Sequence, residues 1–229
     1  MASLTWLGHA AFRIDTDGGK RIYVDPFLSG NPKTPDAEKE PERVDVIALT
    51  HAHGDHVGDT VELKKRFPDA QIVAIVELKS WLGEQGIDVG QVPGLNKGGT
   101  QEIDGDRFTL VNAFHSGATP DEGYGGEACG IVVRLGGGQT IYFAGDTCVF
   151  GDMQLIARLY RPDVAVLPIG DHFTMGPDQA ALALELLGNP RCVPCHWGTF
   201  GLLTGTPDKL RELTPAQIED VQPGDTVQL

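Results

Sequence analysis

Three scarcities bound this chain before any motif is read. Basic residues are few: 18 Lys and Arg stand against 32 Asp and Glu, a net charge of −14. Two bound divalent cations would leave about −10, which opposes docking on a polyanion. No basic stripe offsets this. Lys64-Lys65-Arg66 is the densest cluster, and it falls near the end of a predicted helix, where cations favour the dipole and a solvated face is expected. Cysteine is also scarce, since Cys129, Cys148, Cys192 and Cys195 are too few to build a disulfide scaffold in 229 residues. No run of about 18 apolar residues occurs, and residues 1–6 show no basic leader followed by an apolar stretch. The expectation is a soluble, cytoplasmic protein with reduced thiols.

What is present suits a packed domain. A hydrophobic share of 41% over this length is enough for a full core, which excludes disorder and predicts one domain spanning 1–229. Strands are expected at 4–7, 11–15 and 21–24, with Asp17-Gly18-Gly19 as a hairpin signal. A polar, proline-bearing loop follows to residue 43. Further strands are expected at 44–50, 71–76, 101–103, 107–113, 140–144, 163–168 and 191–195, and helices at 60–67, 77–85 and 177–187. Gly86 stops the helix 77–85, and Pro177 opens and Gly188 stops the helix 177–187. Gly136-Gly137-Gly138 is a turn between strands, and no sequence repeat stands out beyond a β-then-α rhythm.

The chemistry concentrates in His51-Ala52-His53-Gly54-Asp55-His56, directly after the apolar run 44–50. In an extended segment His51 and His53 share a face and could grip one ion, while Asp55 and His56 could turn to a second as the chain curls. Later strands each end on another candidate: His115, then Asp146 through Gly145, then His196. Neutral imidazole and carboxylate suit Zn²⁺, Mn²⁺ or Fe²⁺, and a dinuclear site needs roughly six or seven protein donors. His51, His53 and His115 make a first site, Asp55, His56 and His196 a second, with Asp146 as the bridge. Two such ions, zinc first, would support hydrolysis by a bridging water deprotonated at neutral pH, with Asp55 orienting it and relaying its proton.

These residues carry a resemblance. Thr50-His51-Ala52-His53-Gly54-Asp55-His56-Val57-Gly58, His115, Gly145-Asp146-Thr147 and His196 resemble the metallo-β-lactamase superfamily signature, in order, over nearly the whole chain. The fold this implies is α+β, a four-layer αββα sandwich with a dinuclear metal site at one edge of its two sheets. Trp6-Leu7-Gly8-His9, Asp25-Pro26-Phe27-Leu28 and the stretch from Pro168 to Pro177 look like a small family of uncharacterised metal-dependent hydrolases. That family is akin to L-ascorbate-6-phosphate lactonase and, more distantly, to the phospholipase D acting on N-acylethanolamine lipids.

The implied function is a metal-dependent hydrolase cleaving a small ester, lactone or phosphoester. The alternatives are a nuclease or phosphodiesterase of the same fold, which the acidic balance opposes, and a non-catalytic metal-binding protein. The partner expected is a small-molecule substrate, not nucleic acid or membrane; oligomeric state stays open. β-Lactam hydrolysis does not fit a chain read as unexported, and single-iron sulfur oxidation would leave Asp55, His56 and His196 with little to do. His172 and His9 are candidates for substrate contact or for supporting a ligand, and the glycine-bearing segment 116–130 for a lid. Cys192-Val193-Pro194-Cys195-His196 has haem-attachment spacing, but haem would take His196 from the second metal. Strand alternation would turn the two thiols to opposite faces, which opposes a redox pair.

Overall fold

The computed structural model describes residues 1–229. The first half opens with an antiparallel meander, β1 (Ser3–Gly8), β2 (Ala11–Asp15) and β3 (Arg21–Val24). The hairpin signal acts at Gly19, whose φ is +77° and whose N–H bonds to the carbonyl of Thr16 at 2.9 Å. Next come β4 (Val46–Ala48), α1 (Gly54–Val57), α2 (Thr60–Arg66), β5 (Gln71–Val73) and α3 (Val76–Glu84). The second half runs β6 (Thr100–Ile103), β7 (Asp106–Asn112), β8 (Cys129–Arg134), β9 (Thr140–Phe143), α4 (Met153–Tyr160), β10 (Val164–Pro168), α5 (Pro177–Leu186), β11 (Arg191–Cys195), α6 (Pro207–Leu213) and β12 (Thr226–Gln228).

Two six-stranded mixed sheets result, in the orders β12-β1-β2-β3-β4-β5 and β6-β7-β8-β9-β10-β11. Each has three antiparallel ladders followed by two parallel ones. The two halves therefore share a topology that their sequences do not display. The sheets pack face to face, with Phe12 of β2 meeting Phe143 of β9 edge-on at 5.7 Å between ring centroids. Helices cover both outer faces: Leu63, Leu78 and Leu82 belong to the core of the first sheet, and Met153, Ile156, Leu184 and Leu210 to a second core built on Tyr142 and Leu167. Each of those buried aliphatic side chains contributes about 1.5–3 kcal/mol. This is an α+β, four-layer αββα sandwich, the architecture that the resemblance implies.

The ladders fix the site. In the first sheet β1, β3, β4 and β5 run the same way, and in the second β7, β9, β10 and β11 do so. Their C-terminal ends gather at one edge of each sheet, where loops project functional side chains.

Several sequence expectations change in detail. The strand expected over 44–50 narrows to β4 because the N–H of Thr50 leaves the ladder for the carboxylate of Asp25, at 2.8 Å. The one expected over 71–76 ends at Val73, since Ile75 bridges Leu95 and Val76 begins α3. Lys64 is buried, not solvated: its ammonium bonds the carbonyls of Pro68 and Ala70 just beyond α2, while Lys65 and Arg66 stay exposed. α4, α6 and β12 carry no expectation from the sequence. β12 is three residues long, too short to show a period.

Candidate metal centre

His51, Ala52 and His53 leave β4 extended, with ψ of 147° at His53, and α1 then makes one turn carrying Asp55 and His56. This is the curl the sequence suggested. His51 Nε2 lies 3.0 Å from His53 Nδ1, and both point where His115, beyond the end of β7, brings its own nitrogen. From the second sheet, Asp146 follows β9 and His196 follows β11. Gly145 makes the first approach possible: its φ is +63°, and a Cβ there would lie 2.8 Å from the carbonyl of Cys129 and 2.9 Å from Thr50 Cβ. Gly58, with φ +45°, stops α1 against the backbone of Pro26 and Phe27, where a Cβ would sit 2.5 Å from each.

Asp146 sits at the middle. Its Oδ2 lies 3.1 Å from His196 Nε2, 3.3 Å from His56 Nε2, 3.6 Å from His115 Nε2 and 4.0 Å from His51 Nε2. One carboxylate oxygen thus faces two histidines of each proposed set. His51, His56, Asp146 and His196 form a buried floor, and His53, Asp55 and His115 are partly open at the mouth.

Supporting residues orient these groups; they stand within the motifs quoted above, which gave them no role at the site. Asp25, held at φ +46° after β3, accepts bonds from Thr50 N–H, the Thr50 hydroxyl at 2.6 Å and His56 Nδ1 at 2.8 Å. With its proton given to Asp25, the Thr50 oxygen accepts from His51 Nδ1 at 3.0 Å. Both imidazoles are thereby left with Nε2 turned inward, toward the other candidate ligands. Apart from the resemblance of Asp25-Pro26-Phe27-Leu28, the signal was an aspartate after a strand and before proline, which by itself reads as a turn.

His9 is buried inside this constellation. Its Nε2 is 3.0 Å from Asp55 Oδ2, its Nδ1 is 3.1 Å from Thr199 Oγ1, and its ring lies 4.0 Å from that of His196. Its carbonyl takes the Trp6 indole N–H and the backbone N–H of His196, which ties the β1–β2 turn to the end of β11. His172 lies elsewhere: it is exposed, at φ +60°, and does not line the cavity, whereas the next residue, Phe173, does. The segment 116–130 is pinned by an Ala118–Tyr124 bridge, by Gly125 N–H to Gly117 at 3.0 Å, and by the Trp81 indole to Asp121 at 2.9 Å. Only Ser116 of that segment reaches the cavity wall.

The electrostatics call for positive charge. Burial first, and then neighbouring imidazoles, holds His51, His53 and His115 below the ordinary histidine range, so their lone pairs are free. Burial also takes His9 down to about 4 despite its bond to Asp55. Burial pulls His56 down too, but the carboxylates of Asp146 and Asp25 outweigh it and hold that imidazole well above its usual value. Burial alone would raise Asp55 and Asp146; the His9 bond and the surrounding histidines keep both well below the carboxylate range. His56 Nε2, Asp146 Oδ1 and His196 Nδ1 are buried without hydrogen-bond partners, an expensive condition for a closed protein site. Three imidazoles held neutral, a fourth at His56 whose proton a cation would displace, and two ionised carboxylates, with orphaned atoms among them, fit divalent cations.

The four cysteines are free, and three are buried. Cys192 packs in the core under the outer helices and Cys195 in the core between the sheets, so the two thiols occupy opposite faces of β11. No helix is long and apolar enough to cross a membrane.

The chain is similar to known proteins in sequence and in fold. A family model described as a beta-lactamase superfamily domain matches residues 20–197. A metal-dependent hydrolase of Koribacter versatilis is 45% identical over 227 residues, covering 97% of this chain and 96% of its own length. One of Herpetosiphon aurantiacus is 44% identical over 232 residues, covering 97% and 96%. The structure of a metallo hydrolase from the archaeon Ignicoccus hospitalis superposes with a TM-score of 0.85 at 35% identity, over 99% of this chain and 97% of that one.

Proposed function

Given that the chain belongs to the beta-lactamase superfamily, we propose that it is a metal-dependent hydrolase with a dinuclear centre that cleaves a small ester, lactone or phosphoester. The observation that carries this reading is the convergence of four histidine nitrogens on one buried carboxylate oxygen, with His56 Nε2, Asp146 Oδ1 and His196 Nδ1 left orphaned around it. His51, His53 and His115 would hold one cation and Asp55, His56 and His196 the other, with Asp146 between them. Zinc is the first choice and manganese or iron(II) the second, since imidazole and carboxylate serve all three.

Bound there, the cations would polarise the scissile group and lower the pKa of water in the cavity toward about 7. The chain's own residues do the rest. Asp55 is pinned through Oδ2 by His9, which leaves Oδ1 uncommitted at the cavity wall. There it orients the attacking water, accepts its proton and returns that proton to the departing oxygen. Because Asp55 is also a proposed ligand, its loss would cost metal as well as rate. The Ser116 hydroxyl, 3.2 Å from His53 Nε2, stands at the mouth as a donor. Reduced, buried thiols fit a cytoplasmic setting.

Elemental analysis of the purified protein, joined to turnover of simple esters before and after chelation, tests the proposal. About two metal equivalents and activity restored by Zn²⁺ or Mn²⁺ are expected. Full activity in the stripped protein would sink it.

A further inference from the structure

The cavity over the centre is small, about 360 Å³, near the lower end of ligand-site volumes. Its walls divide simply once the hydrolase reading is granted. His53, Asp55, His115, Asp146 and His196 are committed to the centre, so the surfaces left to choose a substrate are Ser116, Phe173 and Phe200. No lysine or arginine lines it.

What sets the two phenylalanines apart is that their open faces line the cavity. Phe173 is 50% and Phe200 40% exposed, though exposed aromatic area costs solvation unless something covers it. Phe200 stands edge-on to His9 at 5.3 Å, beside the residue that pins Asp55. Phe173 is presented by strained backbone: Asp171 and His172 are consecutive non-glycine residues at φ +67° and +60°. Left-handed geometry costs about 1–2 kcal/mol per residue. The turn is closed by the Phe173 N–H on Asp171 O at 2.7 Å and the Asp171 N–H on Met175 O at 2.9 Å. Strain held in place to display an aromatic ring at a cavity mouth marks a functional surface.

We propose that Phe173 and Phe200 form an apolar subsite that makes the enzyme selective for uncharged carboxylic esters or lactones bearing a small apolar or aromatic arm. This rests on the hydrolase reading above and narrows it against phosphoesters. The cations would take the oxygen that gains charge at the reacting centre of either substrate, but a phosphoester anion carries further charged oxygens, for which the free walls supply one hydroxyl. A carboxylic ester presents a single carbonyl oxygen and an arm that the two rings can cover. In the reaction the water oxygen bonds to the acyl carbon, the acyl carbon–oxygen bond breaks, and the water's proton goes to the departing alkoxide, giving acid and alcohol.

The test uses the metal-loaded enzyme and has two arms. Calorimetry compares acetohydroxamate with benzohydroxamate, which share a headgroup and differ in the arm. Binding about tenfold tighter for benzohydroxamate is expected, falling to about threefold or less in Phe173→Ala and in Phe200→Ala with metal content intact. Turnover compares phenyl acetate with phenyl phosphate, and the acetate should be preferred by about 100-fold or more. Equal hydroxamate affinities, an advantage that survives the double variant, or faster hydrolysis of phenyl phosphate would overturn the subsite. An arm-dependent affinity with no ester turnover would leave the subsite standing and count against the hydrolase reading alone.

Discussion

Asp25 and His56 meet at 2.8 Å, carboxylate Oδ2 to imidazole Nδ1, across 31 positions of sequence. The bond sets His56 as a ligand, because it holds Nδ1 on Asp25 and turns Nε2 toward Asp146, where a cation would displace its proton. The same carboxylate takes both donors of Thr50, through which His51 is oriented. Replacing Asp25 therefore disturbs one proposed ligand of each metal. Asp25→Ala is expected to weaken metal binding by about 10- to 100-fold, and leaving buried donors unsatisfied costs about 1–3 kcal/mol each. A competitive metal titration and a thermal melt measure the two effects. An alanine variant with the parent's metal affinity would refute the role.

His9 tests the mouth of the site in the same way. It alone holds Asp55 Oδ2, and its other nitrogen is occupied by Thr199. His9→Ala should lower kcat by about 10- to 100-fold. His9→Asn suits the left-handed backbone there, φ +54°, and keeps a donor, so it should recover part of the loss. Full kcat in the alanine variant would show that Asp55 needs no anchor.

How much of this was legible beforehand depends on where each signal lies along the chain. The His51–His56 cluster, His115, Asp146 and His196 could be read because each follows an apolar strand and is itself of ligand type. Asp25 could not, because a lone aspartate before Pro26 looks like any turn and gains meaning only when β3 and β4 pair side by side. His9 was visible as a histidine near a strand end, but its bond to Asp55 depends on β1 and β4, 46 positions apart at that contact, ending at the same edge. His172 drew attention as a histidine, while the strained turn gives the inner position to Phe173. Most strand ends came within a residue or two, and the larger losses, Thr50 and the stretch 74–76, were positions whose backbone partners lay far away in sequence. The shared topology of the two halves left no trace in the sequence because ladder order constrains direction and burial, not residue identity.

Removal of metal should cost stability as well as activity. Without cations, His56 Nε2, Asp146 Oδ1 and His196 Nδ1 stay buried and unpartnered. Ligand linkage gives about 2.7 kcal/mol when free metal exceeds Kd a hundredfold. At about 2–4 °C per kcal/mol for a chain of this size, the stripped protein should melt about 5–10 °C lower and recover on adding Zn²⁺ or Mn²⁺. A scan with and without metal measures this directly. An unchanged Tm would mean that the seven donors do not hold a cation in the folded state.

The cysteines offer a test of the layers that is independent of any metal. In β11, positions 192 and 195 are an odd number of residues apart, so alternation sends one thiol to each face of the second sheet. Cys192 lies in the core beneath the outer helices and Cys195 in the core between the sheets, and a disulfide between them would require β11 to leave its ladder with β10. Burial raises the thiols of both well above their ordinary value and pushes Cys129 up to about 12, so none offers thiolate at neutral pH. Cys148, just beyond the Asp146 loop, is exposed. The folded protein should therefore give one fast thiol equivalent with an aromatic disulfide reagent and four after denaturation. Mild oxidation should leave Cys192 and Cys195 unlinked while the fold persists. Two fast equivalents, or a Cys192–Cys195 disulfide in protein that still melts cooperatively, would mean that β11 does not separate the two cores.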